Sequence, residues 1–360
     1  MDRYFMKLAI RRAEKSRGKC SPNPFVGAVI VKDGKTIAEG STMPYGYDHA
    51  EVVALKAAGE AARGATMYVS LEPCCHHGKT PPCTDAIIKA GIKRVVVGIT
   101  DPNPLVAGKG IAALRAAGIA VESGFFEQEI YEQLEYYLCY INKKRPFVIW
   151  KMALSLDGKY AASDGSAKWI SNPASRRSVH KLRAEVEVVL AGIRSVSKDD
   201  AMLNARGLRN AKQPLRLVLD PYLEIDPDSA LVRSAREFPA MLMHHGGSAD
   251  KALLLADRGL KVLKVSGNRD ELDLLEVMSV LRDMKLYSVL LETGNRLSEA
   301  FWKAKLVDKC MIYYGNQILG GDKSSLKGYD RKSIDRALQL RDIRIRKLQD
   351  NALITGYPIW

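Results

Sequence analysis

The sequence contains no apolar run approaching the roughly 20 residues that a membrane-spanning helix needs, so no membrane partner is expected. Its first residues mix Asp2, Arg3 and Lys7 with apolar positions. They lack the apolar stretch and small-residue cleavage site of a secretory signal, which points to a cytoplasmic protein. A long basic run is missing too. The formal charge is +14, but Lys and Arg are scattered. Phosphate-bearing partners therefore fit, yet nothing singles out nucleic acid over a phosphorylated metabolite or a dinucleotide, and much of the charge reads as solvated surface. There is no internal repeat and no low-complexity tract. Cysteine is scarce, six in 360 residues, but Cys74, Cys75 and Cys83 crowd together beside His76 and His77. In a reducing compartment that crowding argues for a metal rather than disulfides.

A chain of this length exceeds one ordinary core, and two domains of roughly 150–200 residues are expected. Tyr4, Phe5, Leu8 and Ala9 give a helical apolar face. Phe25 to Val31 is a buried strand, and Asp33-Gly34 turns it into a second strand at Thr36 to Glu39. A helix at 50–62, a strand at 66–71, a helix at 84–90, a strand at 95–99 and a helix at 110–117 follow. One further helix at 128–141 closes this part. Helix and strand signals alternate as in an α/β layer fold. The segment Asn142-Lys143-Lys144-Arg145-Pro146 is polar and ends in proline, so the boundary is placed there: 1–145 and 146–360. The second half is again α/β, with strands expected at 147–153, 186–191, 215–219, 262–265, 288–291 and 309–314.

The first chemical constellation is His49-Ala50-Glu51, at the start of a helix, with Pro73-Cys74 and Cys83 downstream. One imidazole and two thiolates give zinc three ligands and leave a fourth position for water, whose ionisation near neutral pH supplies a nucleophile. A carboxylate two residues from the histidine can take and return protons. This is the pattern of zinc deaminases, H-x-E with P-C-x-x-C, except that eight residues rather than two separate the cysteines here. Cys75 remains an alternative to Cys74. A closed zinc knuckle of Cys74, Cys75, Cys83 and a loop histidine is the bland alternative, but it has no use for His49 and Glu51. Gly108-Lys109-Gly110-Ile111-Ala112-Ala113 imitates a dinucleotide fingerprint, yet a proline-rich stretch from Asp101 to Val106 separates it from the preceding strand.

His49-Ala50-Glu51, Leu71-Glu72-Pro73-Cys74 and His77-Gly78-Lys79-Thr80-Pro81-Pro82-Cys83 closely resemble the bifunctional deaminase–reductase family of riboflavin biosynthesis. Pro22-Asn23-Pro24-Phe25-Val26-Gly27 and Asp101-Pro102-Asn103-Pro104 agree. The resemblance implies a cytidine-deaminase-like α/β/α domain followed by a dihydrofolate-reductase-like α/β domain. It also implies removal of an exocyclic amine from a diaminopyrimidinone carrying ribose 5-phosphate, then NADPH-dependent reduction of the ribosyl group to ribityl. Carried over by position, His49, Cys74 and Cys83 hold Zn2+, Glu51 shuttles protons, and Asn23, His76, Lys79 and Asn103 contact this phosphorylated ribotide. One departure is Thr42, where the family often has histidine.

The second half has no G-x-G-x-x-G, so its reductase reading rests on the resemblance. Lys151 to Lys159, Trp169-Ile170-Ser171, Asp199 to Arg206 and Leu290 to Asn295 match the family's segments. By position, Ala153, Trp169, Ser195, Asp199 and Gly294 contact NADPH. Lys151, Arg183, Leu203, Arg206 and Glu292 contact the ribotide, with the two arginines suited to its phosphate. Ala167 and Ser171 depart from the usual serine and threonine. Two rivals remain at this point: a nucleic-acid deaminase with an appended binding domain, and a non-catalytic zinc protein. No nucleic-acid partner is expected, and a homo-oligomer is left open.

Overall fold

Asp33 and Gly34 both take positive φ, 51° and 74°, the tight hairpin turn that Asp-Gly favours. They join β1 (Gly27–Lys32) to β2 (Lys35–Ser41). In the computed structural model, which describes residues 1–360, the chain divides into two compact units, Met1–Arg145 and Pro146–Trp360. No helix is long and apolar enough to cross a membrane.

The first unit adds β3 (Thr66–Leu71), β4 (Arg94–Ile99) and β5 (Ala120–Ser123). They form one five-stranded sheet in the order β2-β1-β3-β4-β5. The β1–β2 and β1–β3 pairs are antiparallel, and β3–β4–β5 are parallel. Six helices accompany it: α1 (Asp2–Ala13), α2 (Ala50–Ala58), α3 (Cys83–Lys89), α4 (Lys109–Ala116), α5 (Glu127–Gln133) and α6 (Glu135–Lys143). Helix α1 buries Phe5, Met6, Ala9 and Ala13. Tyr4, expected on that face, is 62% exposed, so the buried stripe lies one position further on. The single helix expected at 128–141 is two helices that meet at Leu134. Ile30, Met67 and Ile87 are fully buried, each contributing about 1.5–3 kcal/mol of apolar burial.

The second unit holds a nine-stranded sheet ordered β10-β9-β8-β7-β13-β6-β14-β16-β15. Its strands are β6 (Phe147–Leu154), β7 (Val188–Gly192), β8 (Leu215–Leu219), β9 (Ala240–His244), β10 (Lys261–Lys264), β13 (Ser288–Leu291), β14 (Lys309–Tyr314), β15 (Leu340–Leu348) and β16 (Asn351–Pro358). All neighbours are parallel except β14–β16 and β15–β16. A small hairpin pairs β11 (Gly267–Asn268) with β12 (Glu271–Leu272). The helices are α7 (Pro173–Glu185), α8 (Ile193–Asp199), α9 (Ala230–Arg233), α10 (Ala249–Asp257), α11 (Leu274–Asp283) and α12 (Asn295–Lys303). Helix α7 starts cleanly because Asn172 Oδ1 accepts from the Ser175 amide at 2.8 Å and Pro173 stands at its first turn. Trp150, Val188, Leu217, Met241, Leu291 and Phe301 join one core across this sheet.

Candidate active sites

Helix α2 packs against β2 so closely that a Cβ at Gly40 would lie 2.1 Å from the Ala50 carbonyl oxygen. That approach fixes the start of α2, where His49 is the N-cap and Glu51 lies in the first turn. Strand β3 delivers Cys74 shortly after its end, and Cys83 opens α3. A second close approach brings the loop after β4 against this end: a Cβ at Gly110 would meet the Pro73 carbonyl oxygen at 2.1 Å. Buried Glu72 holds that loop, accepting amide hydrogens from Asp101, Gly108 and Ile111 at 3.2, 2.9 and 3.0 Å.

The result is one cluster. His49 Nδ1 lies 3.5 Å from Cys74 Sγ and 3.3 Å from Cys83 Sγ. All three donor atoms fall within 4.8 Å of one another, a group able to hold a metal ion. The Cys83 amide donates to Cys74 Sγ at 3.4 Å. Hydrogen bonding from Cys83 pulls the Cys74 thiol down to about 4, and the same contact drives Cys83 up. The hydrogen bond to Cys74 raises His49. Glu51 is buried, and burial pushes its carboxyl up despite the opposing effect of His49.

This cluster opens on a cavity of about 210 Å³ lined by Asn23, Tyr45, Tyr47, His49, His76 and Lys79 among others. His76 Nδ1 is buried without a partner, and Lys79 Nζ stands 4.4 Å over the Tyr45 ring. Asn103 does not line the cavity; its Oδ1 accepts from the Leu105 amide. Cys75 lies outside the ligand group, with its thiol near the Leu105 carbonyl. Thr42 is buried, and its Oγ1 accepts from the Val26 amide at 2.9 Å, so this departure serves an internal tie. The sequence reading missed Tyr45 and Tyr47. An aromatic pair just ahead of His49 was the available signal.

In the second unit, three of the expected ribotide residues meet inside the fold. Glu292, one residue beyond β13, accepts from Lys151 Nζ at 3.1 Å and from Arg183 Nε at 2.6 Å. Burial would raise the Glu292 carboxyl, but the charges of Arg183 and Lys151 overcome it and hold it well below the usual carboxylate range. The third arm of Arg183 donates to the Asn204 carbonyl at 3.1 Å. The loop from 200 to 206 is set by residues that went unremarked in the sequence. Buried Arg216 donates to the carbonyl of Met202 at 3.1 Å and to Phe238 at 2.6 Å, and Gln213 brackets Ala205 with two hydrogen bonds. Within that loop Leu203 is buried in the left-handed region, φ 56°, and the Arg206 amide lies 3.4 Å from His180 Nδ1.

A cavity of about 530 Å³ lies at the ends of β7, β8 and β13 and along α12. Ser195 and Gly294 line it, and the Gly294 amide donates to Ser195 Oγ at 3.1 Å. The other three expected cofactor residues are not on its lining. Ala153 is on β6, Trp169 is 61% exposed with Arg176 over its ring, and Asp199 is an exposed residue 4.0 Å from Lys168 Nζ.

A His–Cys–Cys group able to hold a metal ion beside a buried carboxylate on one α/β unit, and a large cavity at a helix start on a second, are the layout expected of a deaminase joined to a reductase. Comparison with known proteins agrees. Residues 1–99 match the cytidine and deoxycytidylate deaminase zinc-binding region, and residues 146–354 match the RibD C-terminal domain. The chain is 42% identical over 354 residues to riboflavin biosynthesis protein RibD of Aquifex aeolicus, covering 98% of each chain. It is 36% identical over 338 residues to the Escherichia coli protein of that name, 90% of each. The solved structure of Acinetobacter baumannii RibD, form 1, is similar with a TM-score of 0.90 at 36% identity, covering 100% of this chain and 99% of that one. A Thermotoga maritima diaminohydroxyphosphoribosylaminopyrimidine deaminase/5-amino-6-(5-phosphoribosylamino)uracil reductase matches with a TM-score of 0.86 at 34% identity, covering 99% of each. The chain belongs to the bifunctional deaminase–reductase family of riboflavin biosynthesis, and it is both a hydrolase and an oxidoreductase.

Proposed function

We propose that residues 1–145 carry the deamination and residues 146–360 the reduction, each on the cluster its own unit assembles. The observation that carries the first half is the convergence of His49, Cys74 and Cys83 within 4.8 Å beside buried Glu51. One imidazole and two thiolates suit zinc with an open position. Zinc, when bound there, makes water a usable nucleophile near neutral pH. Glu51 takes the proton and returns it to the leaving amine, a role favoured by the raised carboxyl. Asn23 and His76 line the cavity and orient the pyrimidine ring. Lys79 meets the ribose phosphate, with Asn103 at the periphery.

For the second half, a reduced nicotinamide dinucleotide supplies the hydride, and the family pattern implies NADPH. The start of α12 at Gly294, next to Ser195, fits its diphosphate. The hydride goes to C1′ of the ribose, which opens and becomes ribityl. Lys151 Nζ, held by Glu292, is the proton source for the ring oxygen released in that step. Lys151 and Arg183 outnumber Glu292 by one positive charge, and Arg206 adds an exposed guanidinium, an environment suited to a phosphorylated ribotide. The phosphorylated pyrimidine ribotide is thus the partner of both units. Leu203 shapes the loop, while Ala153, Trp169 and Asp199 are assigned to the cofactor by the family pattern alone. Incubating the full chain with the diaminopyrimidinone ribotide and NADPH tests this: ammonia release and dinucleotide oxidation should proceed in that order. Oxidation without prior ammonia release would overturn the assignment.

A further inference from the structure

We propose that Tyr45 is a substrate-positioning residue of the deaminase cavity: its ring face holds the Lys79 ammonium ready for the ribotide phosphate without neutralising it. The inference rests on the reading of that cavity as the pyrimidine ribotide site.

Tyr45 and Lys79 stand on two loops that line the same cavity, and each loop ends on candidate metal ligands. Residues 42–48 lead into His49, and residues 75–82 run between Cys74 and Cys83. The first loop is built to present an aromatic ring. The Tyr47 amide donates to the Pro44 carbonyl at 3.0 Å, closing a turn over Tyr45 and Gly46. The third residue of this turn needs a positive φ, and Gly46 supplies it at 95°. Thr42 offers the cavity nothing, because its Oγ1 is engaged with the Val26 amide. What the loop gives the cavity comes mainly from Tyr45 and Tyr47. Of the two, Tyr45 is the one that meets a cation, with Lys79 Nζ 4.4 Å from its ring centroid.

The nature of that partner matters. Asp48, the one carboxylate among residues 42–48, is paired with Lys56 at 2.5 Å. A carboxylate on Lys79 would cancel its charge and repel an incoming phosphate. A ring face attracts the ammonium through its quadrupole and adds no net charge. The ammonium carries three N–H donors and the ring covers one side of it, so donors remain for phosphate oxygens. Lys79 is exposed, and its flexible four-carbon stem has freedom that a phosphate contact must otherwise remove. The stem passes beside Gly46, where a Cβ would lie 3.9 Å from Lys79 Cδ. With the stem laid there and the ammonium on Tyr45, Lys79 is ordered before the ribotide arrives. Such ordering raises affinity without a new contact to the ligand. The effect belongs to the phosphate end of the ligand and leaves the chemistry at Glu51 alone.

Deamination kinetics of the full-length protein test this, with the diaminopyrimidinone ribotide set against its dephosphorylated nucleoside. Tyr45→Leu should raise KM for the ribotide about two- to fivefold, the size of an exposed cation–π contact, with kcat held and KM for the nucleoside unmoved. Tyr45→Phe, which keeps the ring face, should give the wild-type KM. Tyr45→Glu should raise the ribotide KM at least about tenfold, because its carboxylate captures Lys79. In a Lys79→Met background, Tyr45→Leu should change nothing further. Each Tyr45 variant should keep about one zinc by metal analysis. Several results overturn the proposal: a ribotide KM that Tyr45→Leu does not move, an equal change with the nucleoside, Tyr45→Phe behaving as Tyr45→Leu, or an undiminished effect in Lys79→Met protein. Loss of zinc in Tyr45→Leu overturns it too, since Tyr45 then supports the fold of the site. If Lys79→Met itself leaves the ribotide KM unchanged, the reading of Lys79 as the phosphate contact falls first, and this inference with it.

Discussion

The two units hold charge away from water by opposite means. In the first, His49, Cys74, Cys83 and Glu51 are chemically distinctive residues, all four within 35 positions, and each can be named from its type and spacing. In the second, Lys151, Arg183 and Glu292 are common residues whose meaning lies only in their meeting, across 141 and 109 positions. The difference follows from where the chemistry resides. A deaminase must supply a metal site and a proton carrier from its own side chains. A reductase borrows its hydride and needs only to bind and align.

The comparison breaks most visibly at Glu292. Replacing it with Gln leaves Lys151 and Arg183 as buried cations without their counter-charge, and removing one partner of a buried pair costs about 3–5 kcal/mol. Urea unfolding of the full chain should show the Pro146–Trp360 transition shifted by that amount, with deamination kept. An unchanged midpoint would mean that the cluster contributes nothing to the fold. Next in size, Glu51→Gln should lower deamination by at least about 10²-fold while reduction of pre-deaminated substrate is nearly untouched. Equal loss of both activities would overturn the division of labour. Smaller still is the effect at Cys75. Wild-type protein and Cys75→Ser should each carry about one zinc by metal analysis and differ less than about twofold in deamination, whereas Cys83→Ser should lose the metal. Zinc retained in Cys83→Ser would show the wrong thiolate was chosen.

Legibility differed between the units for physical reasons. The Asp33-Gly34 turn, β3 and the His49–Glu51 start of α2 all announce themselves through local chemistry, and the structure has them there. Strand β9 escaped because its Ala-Met-Leu-Met segment is made of helix formers, and burial on both faces decides its conformation. Strand β15 alternates Ile343, Arg344, Ile345 and Arg346, a two-residue period that was there to be seen, but it is exposed on both faces along most of its length and has no buried face. Arg216 reads as a surface arginine until the fold surrounds it with carbonyl groups and burial pulls its guanidinium down to about 10. The fingerprint at Gly108 was set aside because no strand runs into it, and the structure has β4 ending at Ile99 and α4 starting at Lys109.

The smallest expected effect sharpens the contrast in charge. His180, on α7 beside the residues proposed for the ribotide, is brought down from 6.5 to about 4 by burial, with the nearby Arg183 and Arg206 charges adding. Its Nδ1 faces the Arg206 amide at 3.4 Å, a contact that the neutral ring accepts and the protonated ring cannot. The folded pKa lies below the unfolded one, so the fold binds fewer protons at this site than the unfolded chain does. The stability this contributes is complete above about 6.5 and is lost as pH falls from there through about 4. The ring is only partly buried, and solvent screening reduces the effect to roughly 1 kcal/mol. His180→Gln should therefore narrow the difference in urea stability between pH 7 and pH 4.5 by that amount. In the wild type, the His180 ring protons should titrate near pH 4 by NMR, and Arg206→Ala should move that midpoint upward. A His180 titration at its ordinary value would show that the ring does not feel the arginines, and the electropositive site proposed for the ribotide phosphate would lose its second support.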